Sequence, residues 1–181
     1  MRTVYVAPIG EVEETVVDVV ALALWSTFGL PVKRFPSLPD PAAALDAARQ
    51  QYSSSAILRD LQLYCPEDPV KFVGITERDL FIPMLSFVFG QAQVGGPLAL
   101  VSCARLRQEY YGFPPDPALL YSRVAKEGIH EIGHTFGMVH CQDAACPMAL
   151  SNTIAQVDRK RGGLCDSCAA LVHEITGKEM L

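Results

Sequence analysis

The order of apolar and polar positions divides the chain into short strands and amphipathic helices. Met1 to Pro8 reads as a strand, stopped by Pro8 and Gly10. Glu11, Glu13 and Glu14 then sit where a helix start favours acid side chains, and the spacing predicts a helix to about Phe28, ended by Gly29 with Pro31 beyond. Its apolar stretch, Val19 to Trp25, is too short to span a bilayer. Pro31 to Leu38 reads as a second strand, and Pro41 opens an expected helix through about Ala48. Beyond the serine run in Gln50 to Ser55, Ala56 to Leu63 has helical spacing, and Cys65-Pro66 ends it. Lys71 to Thr76 predicts a strand, and Glu77-Arg78-Asp79 breaks it. Phe81 to Phe89 is apolar and rich in β-formers, and Leu98 to Ala104 reads as a buried strand. Asp116 suits an N-cap and Pro117 a first helical position, so a helix is expected from there to about Phe136. A last helix is expected from Leu164 to about Thr176. The polar segment between them, with Arg159-Lys160-Arg161, reads as solvated surface at the rim of a site.

Strands alternating with helices predict an α/β layered domain with a largely parallel sheet. A length of 181 residues fits one domain, residues 1–181, with a substantial core. Half the residues are hydrophobic and 19% are charged, which places the chain among globular proteins. The net charge is −5, with the signs interspersed, so no basic cluster marks a nucleic-acid or anionic-membrane partner. The first residues lack the apolar core and cleavage site of a signal peptide, and a cytoplasmic location is expected.

Chemistry concentrates between Gly128 and Cys168. His130-Glu131-Ile132-Gly133-His134-Thr135-Phe136-Gly137-Met138-Val139-His140 is an unbroken H-E-x-x-H-x-x-G-x-x-H. On a helix His130 and His134 share a face, so both imidazoles can reach one metal ion. Gly137 can take the left-handed conformation that ends the helix and returns His140 as a third ligand. Three protein ligands with one open position is the catalytic zinc arrangement, and Glu131 places a carboxylate beside it. Three of the four histidines in the chain fall in these eleven residues; His173, alone in the last helix, is not read as a ligand. Cys141, Cys146, Cys165 and Cys168 follow as C-x4-C and C-x2-C, the spacing of a closed structural zinc site. Two disulfides are the competing reading of these four. Cys65 and Cys103 read as small buried thiols.

The run HEIGHTFGMVHCQDAACPM followed by CDSC resembles the archaemetzincins, a branch of the metzincin zinc peptidases. The resemblance implies a compact metzincin-like fold with a mixed, mostly parallel sheet and one antiparallel edge strand. It implies two zinc ions, a catalytic one on His130, His134 and His140 and a structural one on Cys141, Cys146, Cys165 and Cys168. It also implies that Met148 lies in a tight turn beneath the histidines, stiffened by Pro147. Glu131 would then be the general base of a peptidase acting on a peptide or protein bound along an edge strand, expected within Ser86 to Gly90. Some metzincins carry a tyrosine two residues after the turn methionine; here that position is Leu150. A catalytically weak zinc-containing peptide-binding protein and a zinc-dependent hydrolase of a non-peptide amide are the alternatives.

Overall fold

The computed structural model describes residues 3–66 and 71–177. Met1 and Arg2, at the head of the first expected strand, lie outside the described residues. Strands β1 (Val4–Ile9), β2 (Val32–Arg34), β5 (Lys71–Thr76), β7 (Gly90–Ala92) and β8 (Leu98–Ser102) form one sheet in the order β2-β1-β5-β8-β7. All neighbours are parallel except β7, which runs antiparallel to β8 at the edge. This is the mixed, mostly parallel sheet with one antiparallel edge that the motif resemblance implied.

Strand periodicity assigns the two faces. Val4, Val6, Val73, Ile75, Ala99 and Val101 face a core shared with helices α1 (Glu14–Phe28), α3 (Pro117–Thr135) and α5 (Asp166–Thr176). The alternate residues Ala7, Phe72, Leu98 and Leu100 face a second core closed by helix α2 (Ser54–Leu61). Both faces of the parallel strands are therefore dry, which is why β5 and β8 read as near-continuous apolar runs. α1 stops where Gly29 adopts φ 60° and its N–H bonds to the Trp25 carbonyl at 2.9 Å, as its sequence predicts. Among the described residues no helix is long and apolar enough to cross a membrane.

Several sequence expectations are corrected. Pro41 to Ala48 holds one 3₁₀ turn, Ala42–Ala44, and then strand β3 (Leu45–Asp46). The Asp46 carboxylate accepts from the N–H groups of Ala48 and Arg49, both at 3.0 Å, and Gln50 takes φ 55°. This local turn outcompetes the helix and pairs β3 with β4 (Gln51–Ser53). The serine run belongs to the next element, because Ser53 caps α2 by accepting from the Ala56 N–H. Phe81 to Phe89 is not one strand: β6 is only Leu80–Phe81, and Pro83 interrupts the run. The sheet edge is Gly90–Ala92, so the expected Ser86 to Gly90 stretch leads into it and overlaps it at one residue.

The polar segment after Ala149 contains an unexpected helix, α4 (Ile154–Arg159). Its signature was present in the chain: Thr153-x-x-Gln156 forms a reciprocal capping box. Lys160 is not solvated surface. Its ammonium pairs with Glu127 of α3 at 3.1 Å, with the two side chains 1% and 4% exposed. Arg123 is likewise 4% exposed, bridging Asp158 at 2.7 Å and the Leu106 carbonyl at 2.8 Å. Removing one partner of such a buried pair strands a charge in low dielectric. Lys160→Met is therefore expected to lower unfolding stability by about 3 kcal/mol. Adding Glu127→Gln should recover most of that loss in urea titrations; an additive further loss would show that the pair is not the cause.

Candidate metal centre

α3 is set by its ends. Asp116 accepts from the Leu119 N–H at 3.0 Å and Pro117 occupies the first turn. At its C-terminus Lys71 donates to the Thr135 carbonyl at 2.5 Å and lies 4.8 Å from the Phe136 ring centre, a cation where the helix dipole favours one. The Gly95 N–H bonds to the His134 carbonyl at 2.9 Å and ties the β7–β8 connection to the same turn.

His130 and His134 lie one turn apart with ring centres 4.5 Å apart. Nδ1 of His130 bonds to the Pro147 carbonyl at 2.8 Å, and Nδ1 of His134 to the Met138 carbonyl at 2.7 Å. A carbonyl only accepts, so each Nδ1 carries the proton and each Nε2 presents a lone pair. The two Nε2 atoms face one another at 3.1 Å. Burial, followed by the Lys160 charge and His134, holds His130 well below the ordinary histidine pKa, so a proton is a poor bridge between them. A cation satisfies both lone pairs, and the spacing is close to the ~3.3 Å that tetrahedral zinc imposes on two nitrogens.

Gly137 takes φ 86°, the chain reverses, and His140 comes back with its ring centre 5.3 Å from that of His130 and 4.9 Å from that of His134. Burial lowers the His140 pKa first, then the neighbouring His134. The donor atoms of the three histidines all lie within 4.8 Å of one another.

Glu131 sits beside them in a cleft of about 550 Å³. Burial, then the neighbouring Glu127, pushes its carboxyl well above the usual range, with Lys160 opposing. Its placement depends on Gly90 of β7. A Cβ there would lie 2.6 Å from Glu131 Oε1 and 2.6 Å from the Leu100 carbonyl. Gly133, inside the motif, serves the other side of the helix: a Cβ there would lie 2.4 Å from the Met148 sulfur. Met148 is fully buried against α3 in a turn closed by the Ala149 N–H on the Cys146 carbonyl at 2.9 Å, with Pro147 at its second position.

That turn also belongs to the sulfur cluster. The Sγ atoms of Cys141, Cys146, Cys165 and Cys168 all lie within 4.8 Å of one another. Cys141 and Cys165 sulfurs are 3.7 Å apart, far beyond a disulfide bond and near the ~3.8 Å of a tetrahedral zinc tetrathiolate. No cysteine is bonded to another, and this spacing favours the zinc reading over two disulfides for these four. The Cys168 backbone N–H lowers the Cys165 thiol pKa, while burial raises those of Cys146 and Cys168. A bound cation would let all four ionise. His173 lies half-buried on α5, in neither cluster. Cys103 is buried as expected, whereas Cys65 is only half-buried.

Comparison with known proteins matches residues 30–174 to peptidase family M54. The chain belongs to peptidase family M54. An archaemetzincin from Methanocaldococcus jannaschii is 39% identical over 163 residues, covering 90% of this chain and 88% of that protein. The crystal structure of a zinc-dependent peptidase from Methanocorpusculum labreanum superposes with TM-score 0.86 at 30% identity, covering 93% of this chain and 99% of that one. An archaemetzincin structure from Methanopyrus kandleri gives TM-score 0.84 at 35% identity, covering 98% and 96%. The kinship expected from the motif holds, and this M54 protein is a zinc metallopeptidase.

Gly90, Gly133, Glu127 and Lys160 form the part of the M54 site that sequence reasoning missed. Gly133 could have been found, because a glycine inside a helix lowers propensity and so marks close packing. In the sequence Gly90 stands only as the last residue of the expected edge stretch, Ser86 to Gly90. Gly90→Ala is expected to lower turnover about 100-fold by displacing the Glu131 carboxylate, with zinc content unchanged. Parent-like turnover in that variant, measured beside metal analysis, would break the link between Gly90 and Glu131.

Proposed function

We propose that this chain, a single domain over residues 1–181, hydrolyses peptide bonds at a zinc held by His130, His134 and His140. We place a second, structural zinc on Cys141, Cys146, Cys165 and Cys168. One observation carries the reading: two bare Nε2 lone pairs meet at 3.1 Å in a cleft with a buried carboxylate beside them. Zinc, when bound, polarises the scissile carbonyl and lowers the pKa of water to about 7. Glu131 takes the proton from the attacking water and returns it to the departing amine nitrogen. The Pro147 and Met138 carbonyls keep the His130 and His134 rings turned toward the cleft.

The substrate backbone lies along the edge strand Gly90–Ala92, whose inner edge is already paired with β8. Leu150 lines the cleft with no hydroxyl to offer, so charge on the scissile oxygen falls to the metal when bound or to another polar group of the lining, such as Ser151 or Asn152. Four reduced thiols suit a cytoplasmic, reducing setting.

Zinc-loaded parent protein is expected to contain two zincs per chain and to cleave members of a peptide library. Glu131→Gln should keep both zincs and lose turnover by a factor on the order of 10² to 10⁴. Parent-like cleavage in that variant removes Glu131 from the base role. Equal peptide binding with no cleavage by either protein would make this a binding module. A closed structural site supplies folding free energy directly, so Cys165→Ser should depress the thermal midpoint more than His134→Ala does. The reverse order in a melting comparison would assign the fold-holding role to the histidine site.

A further inference from the structure

The apolar lining of the cleft beside the histidines includes Leu85, Phe87, Phe89, Val94 and Leu150. Among the described residues lining it, the charged side chains are Glu127 and Glu131, both buried. Lys160 neutralises Glu127, so an acidic substrate side chain would meet no free cation. A basic one would lose hydration against rings and branched carbons. The site is therefore shaped for a neutral, apolar residue next to the scissile bond.

Phe87 is the ring in this wall with dedicated support. The Arg105 guanidinium carbon lies 4.2 Å from the Phe87 ring centre and 4.7 Å from that of Tyr110, so the cation is held between two aromatic rings. Asp79 grips the same guanidinium at two points, 2.7 and 2.9 Å. Asp79 also accepts from Gln51 Nε2 at 2.9 Å, and that nitrogen donates to the Ser86 carbonyl at 2.9 Å. Gln51 is 7% exposed. Both the ring of Phe87 and the backbone just before it are thus fixed by one chain of contacts, Gln51–Asp79–Arg105. Phe89 meets the Phe87 ring edge-on, with centres 5.1 Å apart. Gln51, Asp79 and Arg105 are not among the residues lining the cleft, so they act on it through Phe87 and the backbone before it.

We propose that Phe87 is the specificity-determining wall of the cleft, that Arg105 and Asp79 are its positioning residues, and that the substrates are peptides with a bulky neutral apolar residue adjoining the scissile bond. The inference rests on the hydrolytic reading above and adds the substrate class to it.

The test is a peptide library read for both cleavage and binding with zinc-loaded parent, Phe87→Ala, Phe87→Leu, Arg105→Met and Arg105→Lys. Parent should favour Phe, Leu or Met beside the cut. Phe87→Ala should lower kcat/KM on those peptides about ten-fold or more, through KM, with zinc content intact. Phe87→Leu, which keeps an apolar wall, should shift the same way but less. Arg105→Met should also raise KM with kcat little changed, and Arg105→Lys, which keeps the charge on Asp79, should recover part of the effect. A purely structural role for Arg105 would move the melting temperature and leave the KM-to-kcat split alone. Preference for charged residues in the parent, or a parent-like profile in both Phe87 variants, overturns the proposal. Should the parent cleave nothing, the hydrolytic reading fails separately. Enrichment of apolar peptides in the binding arm, lost in Phe87→Ala, would then still support the wall; enrichment unchanged in that variant would refute it.

Discussion

Two imidazole lone pairs forced to within 3.1 Å form the constraint around which the remainder of the site is arranged. Two lone pairs facing each other at that separation repel, and a cation between them would relieve the repulsion. The ring orientations are imposed from outside the helix by the Pro147 and Met138 carbonyls. Pro147 lies between Cys146 and Met148. The same short turn therefore orients a histidine, contributes a sulfur to the second cluster and lays a thioether beneath α3. The Cys141 N–H bond to the Met148 carbonyl, at 3.0 Å, closes this arrangement. The histidine group and the sulfur group therefore share one short segment of chain.

The sheet supplies the other half of the geometry. Helix α3 packs on the face of β8 and β7, and the Glu131 carboxylate occupies the space that Gly90 leaves by having no side chain. Beneath it, Lys160 reaches from the end of α4 to Glu127, one turn before Glu131. This keeps two neighbouring carboxylates from facing each other uncompensated in a dry site. A buried ion pair is weak evidence of stability, since apolar replacements are often as good. Its position in the wall of the cleft gives it an electrostatic role instead.

The apolar part of the cleft lining follows a different logic. Segment 85–92 joins β6 to the edge strand and carries most of the apolar surface of the cleft. It is short on regular structure, so side chains fix it: Arg105 between two rings, Asp79 on Arg105, Gln51 on Asp79 and on the Ser86 carbonyl. A loop held by planar, bidentate contacts can present an aromatic ring as reproducibly as a strand can.

What the sequence determined by itself was everything governed by near-neighbour spacing. His130 and His134 share a helix face because a helix repeats every 3.6 residues. Gly29 and Gly137 end their helices, Asp116-Pro117 starts one, and the C-x4-C and C-x2-C pairs mark the four sulfurs that meet. Those rules are local, and the long apolar strands and helices obey them. Local competition misled the reading once, at Asp46, where a side-chain turn displaced the helix expected through Ala48. Tertiary structure alone decided the rest. Lys160, read as solvated in a triple of basic residues, finds its partner across 33 positions, and Gly90 gains its meaning only from Glu131 across the cleft. The Gln51–Asp79–Arg105 contacts behind Phe87 join three separate stretches of chain. No periodicity records such meetings, because they depend on how the layers close and not on what stands a few residues away.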